Sequence, residues 1–235
     1  MKRVVVYGGT ENLYDAIYVS LNSLLTNTKV DRVYLLIEHD VFPYTLPDFV
    51  KTINVSGQTY FPEDSPNVKT RWRYMTLMRL ILPKLLPRFK KALWLDCDTI
   101  IDADISELFD IDLTGCYVAG VKEPQKSESR IYLNAGVLLF NLEEIRKDRF
   151  HERLMEYANS VKLHYPDQDA INDLAQGKIK VISGAYNYTP FTEQANARKI
   201  YHFSANMYFR NQSMFIKYKN WGVLIGKDAD SRTLF

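Results

Sequence analysis

The chain has 235 residues, 46% of them apolar, and a formal net charge of +2. That length suits one α/β domain over residues 1–235, and the near balance of charge gives no basis for nucleic-acid binding. No stretch approaches about 20 consecutive apolar residues, and the first apolar run is too short for a signal peptide, so no transmembrane segment is predicted. Cys97 and Cys116 form no C-x-x-C pair, which is typical of a reducing compartment. We expect a cytoplasmic protein that could still contact a membrane surface.

The first predicted unit is a strand, a glycine turn and a helix. Val4–Tyr7 has the apolar pattern of a buried strand, Gly8-Gly9-Thr10 follows, and apolar residues recur at helical spacing from Ala16 to Leu25. This order opens many nucleotide-binding α/β units, although the stretch contains neither G-x-G-x-x-G nor a P-loop. A tight turn that requires glycine explains the stretch equally well.

Later apolar runs alternate with helical patterns, which predicts a mainly parallel central sheet flanked by helices. Further strands are predicted at 32–37, 53–55, 117–121, 137–142, 180–182 and 200–203, and helices at 74–86, at 143–160 and from 166. The polar segment 57–70 is predicted to be a long loop, and such loops in α/β enzymes often form lids.

The central motif is a buried strand that ends in two carboxylates. The run Ala92–Leu95 is followed by Asp96 and Asp98, which lie on the same face because side chains two apart on a strand share a face. Two adjacent carboxylates repel unless a cation lies between them, and a divalent metal that holds a diphosphate is the simplest reason for the pair. Cys97 should point to the opposite face. The alternative is that Asp98 only caps a following turn.

Other candidate residues each have a structural alternative. Arg79 lies amid apolar helix positions, so a pairing role is more probable than for an exposed arginine. Asp167 stands in the first turn of a predicted helix, where an acid favours the helix N-terminus. His202 ends a predicted strand, where a lone histidine is more often a hydrogen-bond partner than a metal ligand. Around Asn134, small residues would let a ligand approach the backbone.

Three stretches, in this order, resemble motifs of glycosyltransferase family 8, which includes glycogenin and bacterial lipopolysaccharide hexosyltransferases. LWLDCDTII at 93–101 resembles the family's YLDxDxxV, YLNAGVLLFNL at 132–142 is similar to YFNAGVLLxNL, and DQDAIN at 167–172 is similar to DQDxLN. Met78-Arg79-Leu80 before Pro83 resembles the family's helix arginine, and Tyr186-Asn187-Tyr188 resembles its later YN stretch. The order and spacing of these motifs agree with the family pattern from Val4 to His202.

The resemblance implies a GT-A fold and transfer of a hexose from a UDP-sugar with retention of anomeric configuration. The implied donor is UDP-glucose or UDP-galactose, and the implied acceptor is a glycan, a lipid-linked molecule such as lipopolysaccharide, or a protein. Asp96 and Asp98 would hold Mn²⁺, or alternatively Mg²⁺, with His202 as the third protein ligand. Two oxygens and an imidazole suit Mn²⁺ better than Ca²⁺.

The resemblance also implies roles for the other candidate residues. The expected uridine contacts are Gly8, Gly9, Thr10 and Asn12. The residues expected around the donor sugar are Arg79, Asn134, Ala135, Gly136, Asp167 and Gln168. Cys97 completes the tripeptide that would touch the substrate. Asn134, Asp167 and Gln168 are the candidate catalytic residues. Because the Gln168 amide is uncharged and a poor nucleophile, we expect same-face attack by the acceptor hydroxyl, assisted by the departing phosphate, instead of a glycosyl-enzyme intermediate.

The sequence departs from the family pattern in three places. Thr10 stands where the family commonly has Asp. Leu13 stands where the family has Tyr, and the tyrosine of this chain, Tyr14, comes one position later. The segment 203–208 lacks the Gly and Lys of the family's HxxGxxKPW, so no phosphate-binding lysine is assigned, although Lys219-Asn220-Trp221 could be a displaced remnant.

Alternative functions remain open from the sequence. A nucleotidyltransferase would need a basic glycine-rich loop for a triphosphate, and Glu11 makes this loop acidic. A catalytically inactive domain that binds a sugar nucleotide or a glycan is the second alternative. A self-glucosylating role is the third, because tyrosines are abundant, but no feature selects an acceptor tyrosine.

Overall fold

A seven-stranded sheet forms the centre of the fold. The structure is a computed structural model that describes residues 1–71, 73–126, 130–204 and 212–219. The strands are β1 (Val4–Gly8), β2 (Arg32–Ile37), β3 (Val50–Asn54), β4 (Lys91–Leu95), β5 (Thr99–Ile101), β6 (Val118–Lys122), β7 (Leu133–Asn141), β8 (Ile179–Val181) and β9 (Ile200–His202). The central sheet has the order β3-β2-β1-β4-β7-β6-β8, and β5 pairs separately with β9. All neighbours in the central sheet are parallel except those of β7, which runs antiparallel to β4 and to β6. The predicted mainly parallel sheet is therefore confirmed.

Helices cover both faces of this sheet. They are α1 (Tyr14–Asn27), α2 (Arg73–Leu77), α3 (Leu82–Leu85), α4 (Leu142–Lys147), α5 (Phe150–Ser160), α6 (Pro166–Leu174) and α7 (Ser213–Lys219). On β1, Val4 and Val6 pack into the core beneath α2 to α6, whereas Val5 and Tyr7 pack into the core beneath α1. Side chains alternate across a strand, so a strand that is buried on both faces has a continuous apolar run. This explains the apolar pattern from which the strand was predicted.

Two predicted long helices are wrong because each is interrupted. The helix predicted at 74–86 is α2, a 3₁₀ turn over Met78–Ile81 and then α3, which has Pro83 in its first turn. Proline has no N–H to donate inside a helix, so a break before it is expected. The helix predicted at 143–160 is α4 and α5, separated at Arg149, whose φ of 51° lies outside the helical region.

Strand β7 begins at Leu133, four residues before the predicted start. This places Asn134 and Gly136 inside the sheet, beside the end of β4.

The segment predicted to be a long loop has neither helix nor strand from residue 55 to residue 71, as predicted. The loop is nevertheless hydrogen-bonded to the rest of the fold. The Asn67 amide is buried and donates to the carbonyl oxygens of Ala158 (2.6 Å) and Val161 (2.7 Å), and it accepts from the Leu163 N–H (3.0 Å). Asn159 also donates to the Tyr60 carbonyl (2.9 Å). These bonds tie the loop to the end of α5.

None of the helices in the described part of the chain has the length and apolar character needed to cross a membrane.

Candidate metal and ligand site

Three side chains that could hold a cation converge where β4 ends. Asp96 and Asp98 follow β4 directly, and the pairing of β5 with β9 places Thr99 opposite His202. One ligand atom from each of Asp96, Asp98 and His202 lies within 4.8 Å of the others. His202 Nε2 is 3.3 Å from Asp98 Oδ1 and 3.9 Å from Asp96 Oδ2. The strand pairing thus brings together residues more than 100 positions apart.

The electrostatics of this cluster favour a cation. Burial alone would favour the neutral forms of Asp98 and His202. The carboxylates of Asp98 and Asp96 outweigh the burial of the imidazole and raise the pKa of His202. Burial alone would raise the pKa of Asp98, but the neighbouring imidazole of His202 outweighs the burial, so the pKa of Asp98 is lowered.

Arg79 connects the carboxylates at the base of the site. This buried side chain donates from Nη2 to Asp96 Oδ1 (2.9 Å) and from Nη1 to the Ala135 carbonyl (2.5 Å), and its Nε lies 3.0 Å from Asp167 Oδ2. Trp94 Nε1 also donates to Asp96 Oδ1 (2.8 Å), and the guanidinium lies 4.5 Å from the centre of the Trp94 ring. The predicted pairing role of Arg79 is therefore seen in the structure.

Asp167 lies in the first turn of α6, but its carboxylate faces Arg79. Burial raises the pKa of Asp167, Arg79 opposes this, and Asp96 adds to it. The Arg79 guanidinium is therefore the ion-pair partner of both Asp96 and Asp167.

The start of β7 approaches the cluster through its backbone. The Asp96 N–H donates to the Gly136 carbonyl (2.8 Å). A Cβ added to Gly136 would meet three atoms of the His202 ring, so glycine is required for this close approach. The Ala135 N–H donates to Gln168 Oε1 (2.8 Å), while Gln168 Nε2 donates to the Tyr132 hydroxyl (3.3 Å). Both ends of the Gln168 amide are therefore engaged.

A chain of buried amides leads from the cluster to a carboxylate. His202 Nδ1 lies 2.9 Å from Asn187 Oδ1, Asn187 Nδ2 donates to Asn134 Oδ1 (2.7 Å), and Asn134 Nδ2 donates to Glu123 Oε1 (2.5 Å). Neither Asn187 nor Glu123 has a predicted role. The motif at 186–188 was a signal for Asn187, whereas Glu123 follows a strand in a polar stretch and carries no local signal.

Most of these residues line one cavity of about 730 Å³. Its floor is formed by the cluster and its partners: Arg79, Asp96, Asp98, Glu123, Asn134, Ala135, Gly136, Asp167, Gln168 and His202. Its outer wall includes Lys126, Lys162, Tyr165 and Phe191. Phe191 is 42% exposed although it is a large apolar residue, and Lys126 Nζ lies 4.2 Å from the Tyr165 ring centre. The lining of the cavity thus combines buried acidic residues with more exposed aromatic and cationic ones.

The predicted uridine contacts are not among the residues that line this cavity. They lie at the end of β1, the strand next to β4, and Thr10 Oγ1 donates to Asn12 Oδ1 (2.6 Å). A Cβ on Gly8 would lie 2.7 Å from Trp94, and one on Gly9 would lie 2.9 Å from Ile17. Packing therefore accounts for both glycines.

Cys97 also lies outside the residues that line the cavity, and it packs against apolar clusters on the other side of the tripeptide. Its predicted substrate contact stays a prediction, as do those of the residues after β1. The altered motif after His202 and the proposed remnant lie largely outside the described residues, because 205–211 and 220–235 are not described; Lys219 ends α7.

Comparison with known proteins identifies related sequences. Residues 4–210 match the family described as Glycosyl transferase family 8. A protein of Haemophilus influenzae is 31% identical over 129 residues, which cover 49% of this chain and 39% of that protein. The lipopolysaccharide 1,2-glucosyltransferase of Escherichia coli K12 is 27% identical over 241 residues, covering 91% of this chain and 70% of the relative. The general stress protein A of Bacillus subtilis is 30% identical over 111 residues, covering 40% of this chain and 38% of the relative. The match to two of these three relatives thus spans about two fifths of their length.

Solved structures share the fold. The galactosyltransferase LgtC, in complex with donor and acceptor sugar analogs, superposes with a TM-score of 0.73 at 18% identity, covering 92% of this chain and 95% of that chain. The glycosyltransferase GlyE of Streptococcus pneumoniae gives 0.70 at 19% identity, covering 95% and 61%. At such identities the likeness shows the fold alone, and it confirms the predicted GT-A type.

Proposed function

Because the chain belongs to glycosyltransferase family 8 and is a glycosyltransferase, we propose that it transfers glucose or galactose from a UDP-sugar to a glycan with retention of anomeric configuration. The observation that carries the proposal is the convergence of Asp96, Asp98 and His202 on one point in a cavity. In this proposal residues 1–235 act as a single domain.

The donor set fits a divalent cation. Two carboxylates and an imidazole meet within reach of one ion, and Arg79 and Trp94 hold Asp96 in place by hydrogen bonds to one of its oxygens. Oxygen and nitrogen ligands together suit Mn²⁺, and Mg²⁺ is the alternative. The bound ion would neutralise the charge that develops on the leaving diphosphate.

The floor of the cavity would hold the donor sugar. Asp167 and Asn134 present polar atoms there, and each is oriented by a partner, Arg79 and Glu123 respectively. Gln168 is bonded at both ends of its amide and is uncharged, so it serves better to position the hexose than to attack it. We therefore place the acceptor hydroxyl on the same face as the departing phosphate, whose oxygen would accept the hydroxyl proton.

The outer wall of the cavity would bind the acceptor. The sheet order places β1, where the family binds uridine, on one side of β4, while Lys126, Tyr165 and Phe191 belong to segments on the side of β7 and β6. Exposed aromatic rings offer flat apolar faces for a sugar, and lysines would favour an acceptor that carries negative charge. The name of the E. coli relative refers to lipopolysaccharide, which supports a glycan or lipid-linked acceptor over a protein one. A cytoplasmic site of action, at a membrane surface when the acceptor is lipid-linked, completes the proposal.

A UDP-release assay tests the proposal. Wild-type protein is incubated with UDP-glucose or UDP-galactose, with Mn²⁺, with Mg²⁺ or with EDTA. We expect metal-dependent release of UDP, and a loss of at least about 100-fold in the Asp98→Asn variant, because the cation loses a charged ligand. Asp104→Asn is the matched control, since Asp104 is an exposed carboxylate outside the cavity.

The outcomes separate the alternatives. Undiminished release by Asp98→Asn in EDTA would exclude the metal assignment. Binding of UDP-sugars without any release, even in the presence of candidate glycan acceptors, would instead indicate an inactive binding domain. Product anomeric configuration, read by NMR, tests retention.

A further inference from the structure

We propose that Asn187 is a positioning residue that holds His202 in the tautomer with the proton on Nδ1, so that the Nε2 lone pair faces the cation site. The inference rests on the proposed function, because it concerns how the chain prepares one of its metal ligands. Asn187 contacts the ring nitrogen of His202 that faces away from the cluster, and it is not among the residues that line the cavity.

The two ends of the buried amide chain determine which way each amide points. The Glu123 carboxylate accepts from the Asn134 atom that faces it (2.5 Å), so that atom is the NH₂ group. The Gly136 N–H can only donate, and the other Asn134 atom accepts from it (2.9 Å), so that atom must be the oxygen. Two independent neighbours therefore give the same orientation for Asn134.

That orientation passes to Asn187. The Asn134 oxygen has a second lone pair, and the Asn187 atom that faces it (2.7 Å) must donate, so it is Nδ2. Asn187 Oδ1 is then the atom that lies 2.9 Å from His202 Nδ1. A carbonyl oxygen only accepts, so Nδ1 of His202 must carry a proton.

The consequence for His202 follows from the two ring nitrogens. With the proton on Nδ1, a neutral imidazole has its lone pair on Nε2, the nitrogen that faces Asp98 (3.3 Å) and Asp96 (3.9 Å). A metal-bound histidine commonly donates its other N–H to an outer partner that fixes its orientation. Here that partner is an amide instead of a carboxylate, which avoids a further buried negative charge beside two aspartates.

Asn187 is itself held in place. Its side chain is fully buried, and its backbone carbonyl accepts from Thr192 Oγ1 (2.6 Å). The next residue, Tyr188, accepts through its carbonyl from the His202 N–H (3.0 Å). Gly136 closes the other side of the ring, so the imidazole has little freedom to turn.

The wild-type protein provides the first test. The chain has 4 histidines, so long-range ¹H–¹⁵N spectra can assign the ring nitrogens of His202. The spectra are recorded at a pH high enough for the imidazole to be neutral, and again with Mg²⁺. We expect the Nδ1–H tautomer in both. An Nε2–H tautomer in the metal-free spectrum would overturn the proposal without any variant, and this result does not depend on whether transfer occurs.

The second test is Mn²⁺ affinity by calorimetry in Asn187→Leu, which keeps the approximate volume but removes both hydrogen bonds. Loss of an outer partner of a metal ligand typically costs about 10- to 100-fold in affinity, and we expect that loss here. Asn67→Leu is the matched control, because Asn67 is also a buried asparagine with three hydrogen bonds but lies outside the cavity lining. We expect it to lower stability while Mn²⁺ affinity stays within about twofold.

The outcomes are distinct. Equal Mn²⁺ affinity in wild type and folded Asn187→Leu would overturn the proposal, as would an equal loss in Asn67→Leu. Asn187→Ser, which is smaller and falls short of Nδ1, replaces the leucine variant if that variant does not fold. Absence of Mn²⁺ binding in the wild type would overturn the proposed function, while the tautomer measurement still decides the role of Asn187.

Discussion

A Cβ placed on Gly136 would lie 2.1 Å from Cε1 of His202, so the backbone of β7 forms one side of the space that the imidazole occupies. This separation is far below van der Waals contact, and the ring is buried with no room to retreat. Residue 136 is therefore under a steric constraint that comes from a residue 66 positions later in the chain.

Gly136→Ala is expected to displace the His202 ring and to lower Mn²⁺ affinity by at least about tenfold, because the ring carries the third ligand atom. Calorimetric titration with Mn²⁺ measures this. Gly57→Ala is the control, since nothing lies within 4 Å of a Cβ at Gly57. Unchanged Mn²⁺ affinity in Gly136→Ala would show that His202 does not bind the metal in this position.

Arg79→Met is expected to lower the free energy of unfolding by about 3–5 kcal/mol, because it leaves the carboxylates of Asp96 and Asp167 without their shared cation. Urea unfolding of the metal-free protein measures the loss. Lys90→Met is the control: its ion pair with Glu143 (3.0 Å) is exposed, and exposed pairs contribute about 0–1 kcal/mol. Similar losses in the two variants would contradict the central role of Arg79.

Asp167→Asn is expected to keep or raise the melting temperature of the metal-free protein while it lowers UDP release at least about tenfold. Burial raises the pKa of Asp167 above its unfolded value of about 3.9. A carboxyl pKa that is raised on folding favours the folded state at low pH, and this contribution is lost as pH rises through the folded-state pKa. The Asp167→Asn variant has no ionisable group at this position, so it does not lose stability in this way as pH rises.

The difference in melting temperature, variant minus wild type, should therefore grow as pH rises from about 4 towards neutrality. Thermal melts across this range measure it, with exposed Asp64→Asn as control. A difference that shrinks with rising pH would mean that Arg79 stabilises the charge of Asp167 more than burial opposes it.

Phe191→Ala is expected to raise the acceptor KM by about 5- to 30-fold, because removal of a contacting aromatic ring costs on the order of 1–2 kcal/mol of binding. UDP release by hydrolysis, without acceptor, should stay within about twofold. Val181→Ala is the control, since Val181 is also a partly exposed apolar residue (39%) but lies on the edge strand β8, outside the cavity lining. An equal fall in acceptor-free hydrolysis would place Phe191 on the donor instead.

The sheet and the two aspartates of the cluster were predictable because their signals are local. Val4–Tyr7 and Ala92–Leu95 are continuous apolar runs since both faces of these strands are buried. Asp96 and Asp98 converge as predicted, but they lie after β4 in a turn where the Thr99 N–H donates to the Asp96 carbonyl (3.2 Å), so strand alternation does not account for their convergence. His202 could be joined to them only through a family resemblance, because nothing local indicates that β9 pairs with β5.

The long helices were mispredicted for a local reason and a tertiary one. Pro83 is a visible helix breaker in the first turn of α3, whereas the left-handed Arg149 has no sequence signal comparable to a glycine. Glu123 and Asn187 were missed because their importance comes from hydrogen bonds to distant partners, which no periodicity reveals.

Strands β4 and β6 both run antiparallel to β7 and therefore parallel to each other. After the site at Asp98, the chain must therefore return to the opposite end of the strands before β6 begins. The turn at Gly115, with a φ of 73° and no neighbour within 4 Å of an added Cβ, precedes β6 and lies at that end of the strands, away from the site. The positive φ strains any substitution at Gly115 itself, so a fluorophore or an affinity tag would be attached at the adjacent exposed Thr114, where tethering the enzyme to a surface leaves the opening of the cavity exposed to solution.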